Sequence, residues 1–375
     1  MAEARKFPHH LIREIFEQPE GLRRTIEPRV SLQDGSVQLE DVRIPREELR
    51  AVQRINIVAS GTSRHAGMAG QSMIQDLAGV PVDVDYASEF EYRNPLIGKC
   101  ELSIFITQSG ETADTTGALR EARKRGSRTI AISNVAGSTI AREADGVIYT
   151  HAGPEISIAS TKAFTGQMAC LFLFAMHLGQ IKEKFSQATA KRYIDELLAI
   201  PGKTESVLSA VDQVENLAEL YYRIDDFMFL GRAIHYPIAM DGALKLKEIS
   251  YIHAEGYPTG EAKHGPNALI DYRLPLVMIA THDPDDPGSV MRYEKNVANM
   301  EGFKKQGGTV IALATEGDTK ISQIADHTLF IPRAPELLSP ILEIVPLQLF
   351  AYFVAAKRGL DVDRPRNLVK AVTRE

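Results

Sequence analysis

From about residue 52 onward, short apolar runs alternate with amphipathic stretches. Arg54-Ile55-Asn56-Ile57-Val58-Ala59 predicts a buried strand, and Ser60-Gly61-Thr62-Ser63 the turn at its C-terminal end. A helix of small residues is predicted over 66–76 and a second short strand over 80–84. A third strand over 102–106 runs into Thr107-Gln108-Ser109-Gly110-Glu111-Thr112. A helix over 113–125 and strands over 129–132 and 146–149 complete the series. Strands alternating with helices imply a parallel sheet covered on both faces.

The series then repeats. Residues 126–151 align without a gap against 307–332, with Ala131 on Ala312, Ile140 on Ile321 and Ala144-Asp145 on Ala325-Asp326. Upstream, 227–231 echoes 57–61, and 274–279 echoes 102–106. A long helical connector over 190–222 separates the copies. The expected fold class is therefore α/β, with two tandem doubly wound, flavodoxin-like parallel sheets flanked by helices. Residues 1–50 stand apart: 7–24 carry a helical stripe (Leu11, Ile12, Ile15, Phe16), then Pro28 and Asp34-Gly35 mark breaks. After Arg358 the tail is polar and broken by Pro365, which predicts a loop. The expected divisions are 1–50, 51–200, 201–358 and 359–375.

Composition narrows the class. The chain has 375 residues, 44% hydrophobic and 25% charged, which suits two globular domains and rules out a disordered chain. The longest apolar run, 168–176, is short for a bilayer span and is read as a buried helix. No secretory segment opens the chain, and two cysteines without a CxxC fit a reducing cytosol, so a cytoplasmic location is expected. A net charge of -6 and the absence of tryptophan make nucleic acid a poor partner. No metal-spaced ligands occur, and no metal or cofactor is expected.

The segment 107–112 carries the first candidate chemistry. Between a buried strand and a helix it offers hydroxyls at Thr107, Ser109 and Thr112, the amide of Gln108, and a glycine that lets the backbone approach. A phosphate there would meet helix N-terminal N–H groups and hydroxyl donors together. The alternative is a Ser/Thr cap that satisfies its own helix. The turn with Thr62 and Ser63 lies at another strand end of the same domain and could face the first. Ile158-Ala159-Ser160-Thr161-Lys162 is a third polar stretch, with Ser160 a candidate contact or again a cap. None of these matches GxGxxG or GxxxxGK[ST], which disfavours nucleotides.

A second group follows. Residues 242–255 have helical spacing, placing Lys245, Glu248 and Ile252 on one stripe, with His253 on the same helix as a structural residue. A Lys–Glu pair at this spacing is ordinarily a surface ion pair. His264 sits in a tight Lys263-His264-Gly265-Pro266 loop, and Lys370 near the end of the chain would by default be solvated.

These residues together resemble a family. From Arg13 to the last residue, the chain is similar to the isomerase half of glucosamine-6-phosphate synthase, the glutamine:fructose-6-phosphate amidotransferase, a tandem of sugar isomerase (SIS) domains. The likeness rests on 60–63, 108–115, 159–164, 242–255, 263–266 and 361–370. It implies phosphate binding by Thr107, Gln108, Ser109 and Thr112, with Thr62 and Ser63 lining the sugar. It gives Glu248 the place of the base moving a proton between C1 and C2, and Lys245 that of its assistant. It gives His264 the ring-opening place, reached in from a partner subunit, and Lys370 that of the lysine forming a Schiff base. Position 107 is often serine in the family; threonine keeps the hydroxyl.

The synthases also carry an N-terminal glutaminase with a cysteine exposed after Met1. Here residue 2 is Ala2, and a chain without that domain is expected, Met1-Ala2-Glu3 being read as a natural start. The expected activity is interconversion of fructose 6-phosphate and glucosamine 6-phosphate with free ammonia, in a homodimer with shared sites, and a separate ammonia source is compatible with it. The alternatives are plain fructose-6-phosphate/glucose-6-phosphate isomerisation, action on another amino-sugar or glycated-amine phosphate, an excised domain of a longer synthase, and a non-catalytic sugar-phosphate sensor.

Overall fold

A computed structural model of the chain describes residues 7–98 and 100–373. Met1, Ala2 and Glu3, read above as a natural start, lie outside them. Two five-stranded sheets, parallel throughout, organise the rest. In the first, the order is Val82–Tyr86, Arg54–Ala59, Glu101–Thr107, Arg128–Ser133, Gly146–Tyr149. In the second it is His253–Pro258, Asp226–Gly231, Pro275–Ala280, Thr309–Thr315, His327–Ile331. Both wind outward from the second position in the same sequence, so the doubly wound fold occurs twice.

The chain divides into two compact units, and the division is interleaved. The first unit comprises 20–155, 162–201 and 369–373; the second comprises 7–19, 156–161 and 202–368. Each has its own core. In the first, Val58, Phe105 and Ala131 on neighbouring strands pack against Ala118, Leu119 and Ala122, with Phe90 edge-on to Phe105 at 6.4 Å. The small-residue helix, Gly61–Ala78, lies against Lys162–Ile181, and a Cβ at Gly70 would stand 2.8 Å from Leu171. That close approach is what the small residues permit. The second core gathers Met228, Leu230, Met278 and Ala312 with Val297, Met300 and Phe303.

Lys162–Ile181 and Ser339–Lys357 are long and apolar enough to cross a bilayer, yet each is packed almost wholly inside. The 168–176 run is indeed a buried helix, apolar on every face because protein surrounds it.

Three local expectations are corrected. The helix read over 242–255 is Tyr236–Ser250, closed by Tyr251 in the left-handed region at φ 60°. Ile252 therefore leaves the Lys245–Glu248 stripe, and His253 opens an edge strand rather than sharing the helix of Glu248. Finally, Thr62 and Ser63 stand in the first turn of a helix that begins at Gly61, since only Ser60 remains extended. In the 1–50 segment, the helices His10–Phe16 and Gln18–Ile26 precede a two-residue ribbon, Val30–Ser31 with Ser36–Val37.

The repeat extends to single side chains. Asp145 accepts from the Thr129 amide at 2.9 Å, and Asp326 accepts from the Val310 amide at 2.7 Å, at matching places in the two copies. Each carboxylate satisfies a backbone donor near the start of an inner strand.

The second unit also buries a charge cluster at its strand ends. His235 lies between two carboxylates, with Nδ1 2.8 Å from Glu343 and Nε2 3.3 Å from Glu336. Arg292 Nε donates to Glu336 at 2.8 Å, and the Thr281 hydroxyl to Glu343 at 2.5 Å. Burial alone would push His235 down, but the Glu343 charge and the hydrogen bonds to both carboxylates outweigh it, raising it to about 10. Burial would likewise raise Glu336, but bonds from His235 and Arg292 hold it at about 2.

A raised histidine stabilises fully below its unfolded value, about 6.5, and loses that contribution as pH rises through about 10. Glu336 contributes above its ordinary 4.5 and loses that as pH falls towards 2. His235→Gln should therefore cost about 3–5 kcal/mol near pH 5.5, the scale of a broken buried ion pair. The gap in unfolding midpoint from the unaltered chain should narrow steadily towards pH 10. Thermal melts across that range check it, and a gap independent of pH would contradict it.

Candidate active site

In the first unit the strand Glu101–Thr107 delivers 107–112 to the carboxyl edge of the sheet, where the helix Ala113–Lys124 begins. Thr107 is buried; Gln108, Ser109 and Thr112 are half-buried. Thr112 occupies the cap position, yet no side chain caps this helix. Its hydroxyl instead pairs with that of Thr107 at 3.1 Å, and Thr107 Oγ1 also accepts from the Gly110 amide at 3.3 Å. Ser109 Oγ accepts from the Glu111 amide at 3.2 Å. The alternative of a Ser/Thr self-cap is not realised, and the hydroxyls gather around a helix start that no side chain caps.

Gly110 makes this turn. It sits at φ 71°, and a Cβ there would fall 2.0 Å from Ser138 Oγ. Ser138 is buried, with no hydrogen-bond partner for that hydroxyl. The one acid of the loop is tied elsewhere: Glu111 accepts from the Thr139 hydroxyl at 2.7 Å and its amide at 2.8 Å. Those two bonds, the hydroxyl's first, hold its carboxyl below the ordinary range. Its charge is thus engaged at the Thr139–Glu143 helix.

The second copy supplies a natural control. Leu102 pairs with Arg128, and Pro275 pairs with Thr309, 181 residues after Arg128, so 107–112 corresponds to 280–285. There the chain reads Ala280-Thr281-His282-Asp283-Pro284-Asp285. The following helix, Pro287–Lys305, is capped by Asp286, whose side chain accepts from the Gly288 amide at 2.8 Å. A carboxylate occupies the position that an anion would need. Of the two strand ends, only the first combines several hydroxyls with a helix start that no side chain caps, a combination that suits a phosphoryl group.

Thr62 and Ser63 share the carboxyl edge with this cradle, in the first turn of Gly61–Ala78. Ser63 Oγ accepts from the Gln167 amide at 3.0 Å. Gln167 is buried within the largely apolar Lys162–Ile181 helix, and its own oxygen has no partner. An amide directly ahead of the apolar run 168–176 was its sequence signal.

The tail returns to the same unit. Val372 O accepts from the Ala113 amide, the first of the cradle helix, at 3.0 Å. Lys370 Nζ donates to Glu155 Oε2 at 2.6 Å, so the default of a solvated lysine does not hold. Glu155 was not anticipated, because a single acid in Gly153-Pro154-Glu155 carries no spacing signal.

The second unit holds the other group. Lys245 and Glu248 meet at 2.5 Å on Tyr236–Ser250, but this is no surface pair: the lysine side chain is 2% exposed and the glutamate 22%. A buried ammonium thus backs a carboxylate that still reaches solvent. Beyond that helix, the Arg366 amide donates to the Tyr251 hydroxyl at 2.8 Å, with the guanidinium 4.2 Å above the ring. Asp363 accepts from the His10 and Leu11 amides at 2.9 and 2.8 Å, anchoring the approach to the tail. His264 is exposed at the end of the short turn Glu261–His264, with Gly265 separating it from the turn Pro266–Leu269. Ser160, half-buried, belongs to this unit through 156–161.

Fold and side chains define a tandem, doubly wound α/β protein with one hydroxyl-rich strand-end turn and a Lys–Glu pair whose lysine is buried. Residues 48–177 and 220–358 each match the SIS domain, and the chain belongs to that family. It is 44% identical over 374 residues to the glutamine–fructose-6-phosphate aminotransferase (isomerizing) of Caldanaerobacter subterraneus, covering all of this chain and 60% of that relative. The chain thus spans about three fifths of the length of the curated relatives it matches. The C-terminal domain of glucosamine-fructose-6-phosphate aminotransferase from Francisella tularensis superimposes with a TM-score of 0.89 at 36% identity, covering 97% of this chain and 100% of that one. A glucosamine-6-phosphate deaminase from Thermotoga maritima shares the fold, with a TM-score of 0.73 at 22% identity over 97% of this chain and 99% of that one.

Gly110→Ala tests the cradle. The strained φ and the clash with Ser138 should cost about 1–3 kcal/mol, and affinity for inorganic phosphate should fall at least about tenfold. Thermal unfolding and calorimetric titration read both, and unchanged values would contradict the geometry.

Proposed function

We propose that this chain is a phosphosugar aldose–ketose isomerase that interconverts fructose 6-phosphate and glucosamine 6-phosphate, with ammonia as the nitrogen partner. One observation carries the reading: the 2.5 Å Lys245–Glu248 pair, with its ammonium buried and its carboxylate accessible. A sugar-phosphate sensor has no need of a desolvated lysine behind an accessible base. The similarity to the aminotransferases supports the choice of sugars.

In this reading Thr107, Gln108, Ser109 and Thr112 hold the phosphate, while Thr62, Ser63 and Ser160 contact the sugar. His264, from the partner in a homodimer, assists ring opening. Lys370 forms an imine at the C2 carbonyl of the open ketose, releasing water, and ammonia then displaces the lysine. In the resulting C2 imine, Glu248 removes a proton from C1 and returns it at C2 while the O1 hydroxyl proton passes to the imine nitrogen, leaving an aldehyde at C1 and an amine at C2. Lys245, 2.5 Å from Glu248, holds that side chain in place for the two transfers. A cytoplasmic location fits this reading.

Incubating the pure chain with glucosamine 6-phosphate should release ammonia and fructose 6-phosphate in step. Glu248→Gln should cut the rate by about 100-fold or more, with binding of the sugar phosphate retained. Light scattering under the same conditions should report a dimer. No conversion of either sugar, or full activity in a monomer, would contradict the reading.

A further inference from the structure

Glu155 has no place in the roles above, yet it is the most constrained group around the tail. Its side chain is fully buried. Oε1 accepts from the amide of Ala163, in the first turn of the 20-residue Lys162–Ile181 helix, at 3.1 Å. That bond orients the carboxylate at the helix start. Oε2 faces Lys370 Nζ at 2.6 Å, on a lysine side chain 25% exposed. The tail is tied independently two residues on, through Val372 O and the Ala113 amide. A fixed, desolvated anion therefore meets an amine on an otherwise irregular segment.

We infer that Glu155 positions the Lys370 amine and serves as its proton acceptor. The inference rests on the imine-forming role proposed for Lys370. The proton count closes on one carboxylate. Lys370 ammonium gives a proton to Glu155, and the freed lone pair attacks the carbonyl carbon. The carbonyl π pair moves to oxygen, which takes one N–H proton to give the carbinolamine. Glu155 returns its proton to that hydroxyl, water departs, and the C=N bond forms. The resulting iminium charge lies beside the carboxylate that has just been regenerated. No second acid is needed, and Glu155 offsets positive charge on the nitrogen both before and after the step.

Borohydride reduction with fructose 6-phosphate, read by the mass of the tail peptide, tests this directly. Glu155→Gln keeps an oxygen for the Ala163 amide but cannot take a proton. It should slow trapping at Lys370 and kcat by about 100-fold, with KM changed less than about threefold. Glu155→Asp keeps the charge one methylene further back and should lose about tenfold. Should the glutamine variant not fold, the aspartate variant decides. Trapping at the unaltered rate in a folded variant, with only the unfolding midpoint lowered, would overturn the inference and leave Glu155 a helix cap. No adduct at Lys370 in the unaltered chain would overturn the imine reading itself, and this inference with it.

Discussion

The first amides of a helix have no partner within it, and that constraint governs what each copy of this fold can do. Both copies bring a helix to the carboxyl end of an inner strand. In the second, Asp286 takes up the helix start and Asp283 and Asp285 surround it. In the first, no side chain caps the helix, and Thr112 pairs with Thr107. One architecture thus yields one helix start closed by a carboxylate and one that no side chain closes, its first amide meeting the Val372 carbonyl of the tail instead.

The closed end is also filled. His235, Glu336, Glu343, Arg292 and Thr281 occupy the strand ends of the second sheet with a network of their own. Burying such charges is costly unless each finds a partner. There the partners are internal, and the result is a rigid support. Elsewhere the pairing is left accessible on one side: Glu248 reaches solvent while Lys245 does not, and Lys370 is partly exposed while Glu155 is sealed. In both pairs one member is buried and the other reaches solvent, which sets them apart from that internal network.

Much of this was legible in the sequence. The strands are short apolar runs bounded by turn residues, so Arg54–Ala59 and Gly146–Tyr149 fall where the sequence pattern places them. The repeat was visible because Asp145 and Asp326 perform the same backbone task. The cradle could be read from its excess of hydroxyls, although whether they capped their own helix could not. What failed was local. Residues 251–255 continue an apparent helical stripe, and nothing short of tertiary structure puts Tyr251 in the left-handed region and starts the edge strand His253–Pro258. Gln167 and Glu155 were missed because their importance lies in contacts across 104 and 215 residues. Spacing rules see only neighbours.

The most direct test is the number of sugar phosphates that one chain binds. Calorimetric titration with fructose 6-phosphate should give one site per chain, despite two copies of the fold. A Ser109→Ala, Thr112→Val variant should lose that site while keeping its fold. Two sites per chain, or undiminished binding by the variant, would contradict the assignment of the open helix start as the phosphate seat.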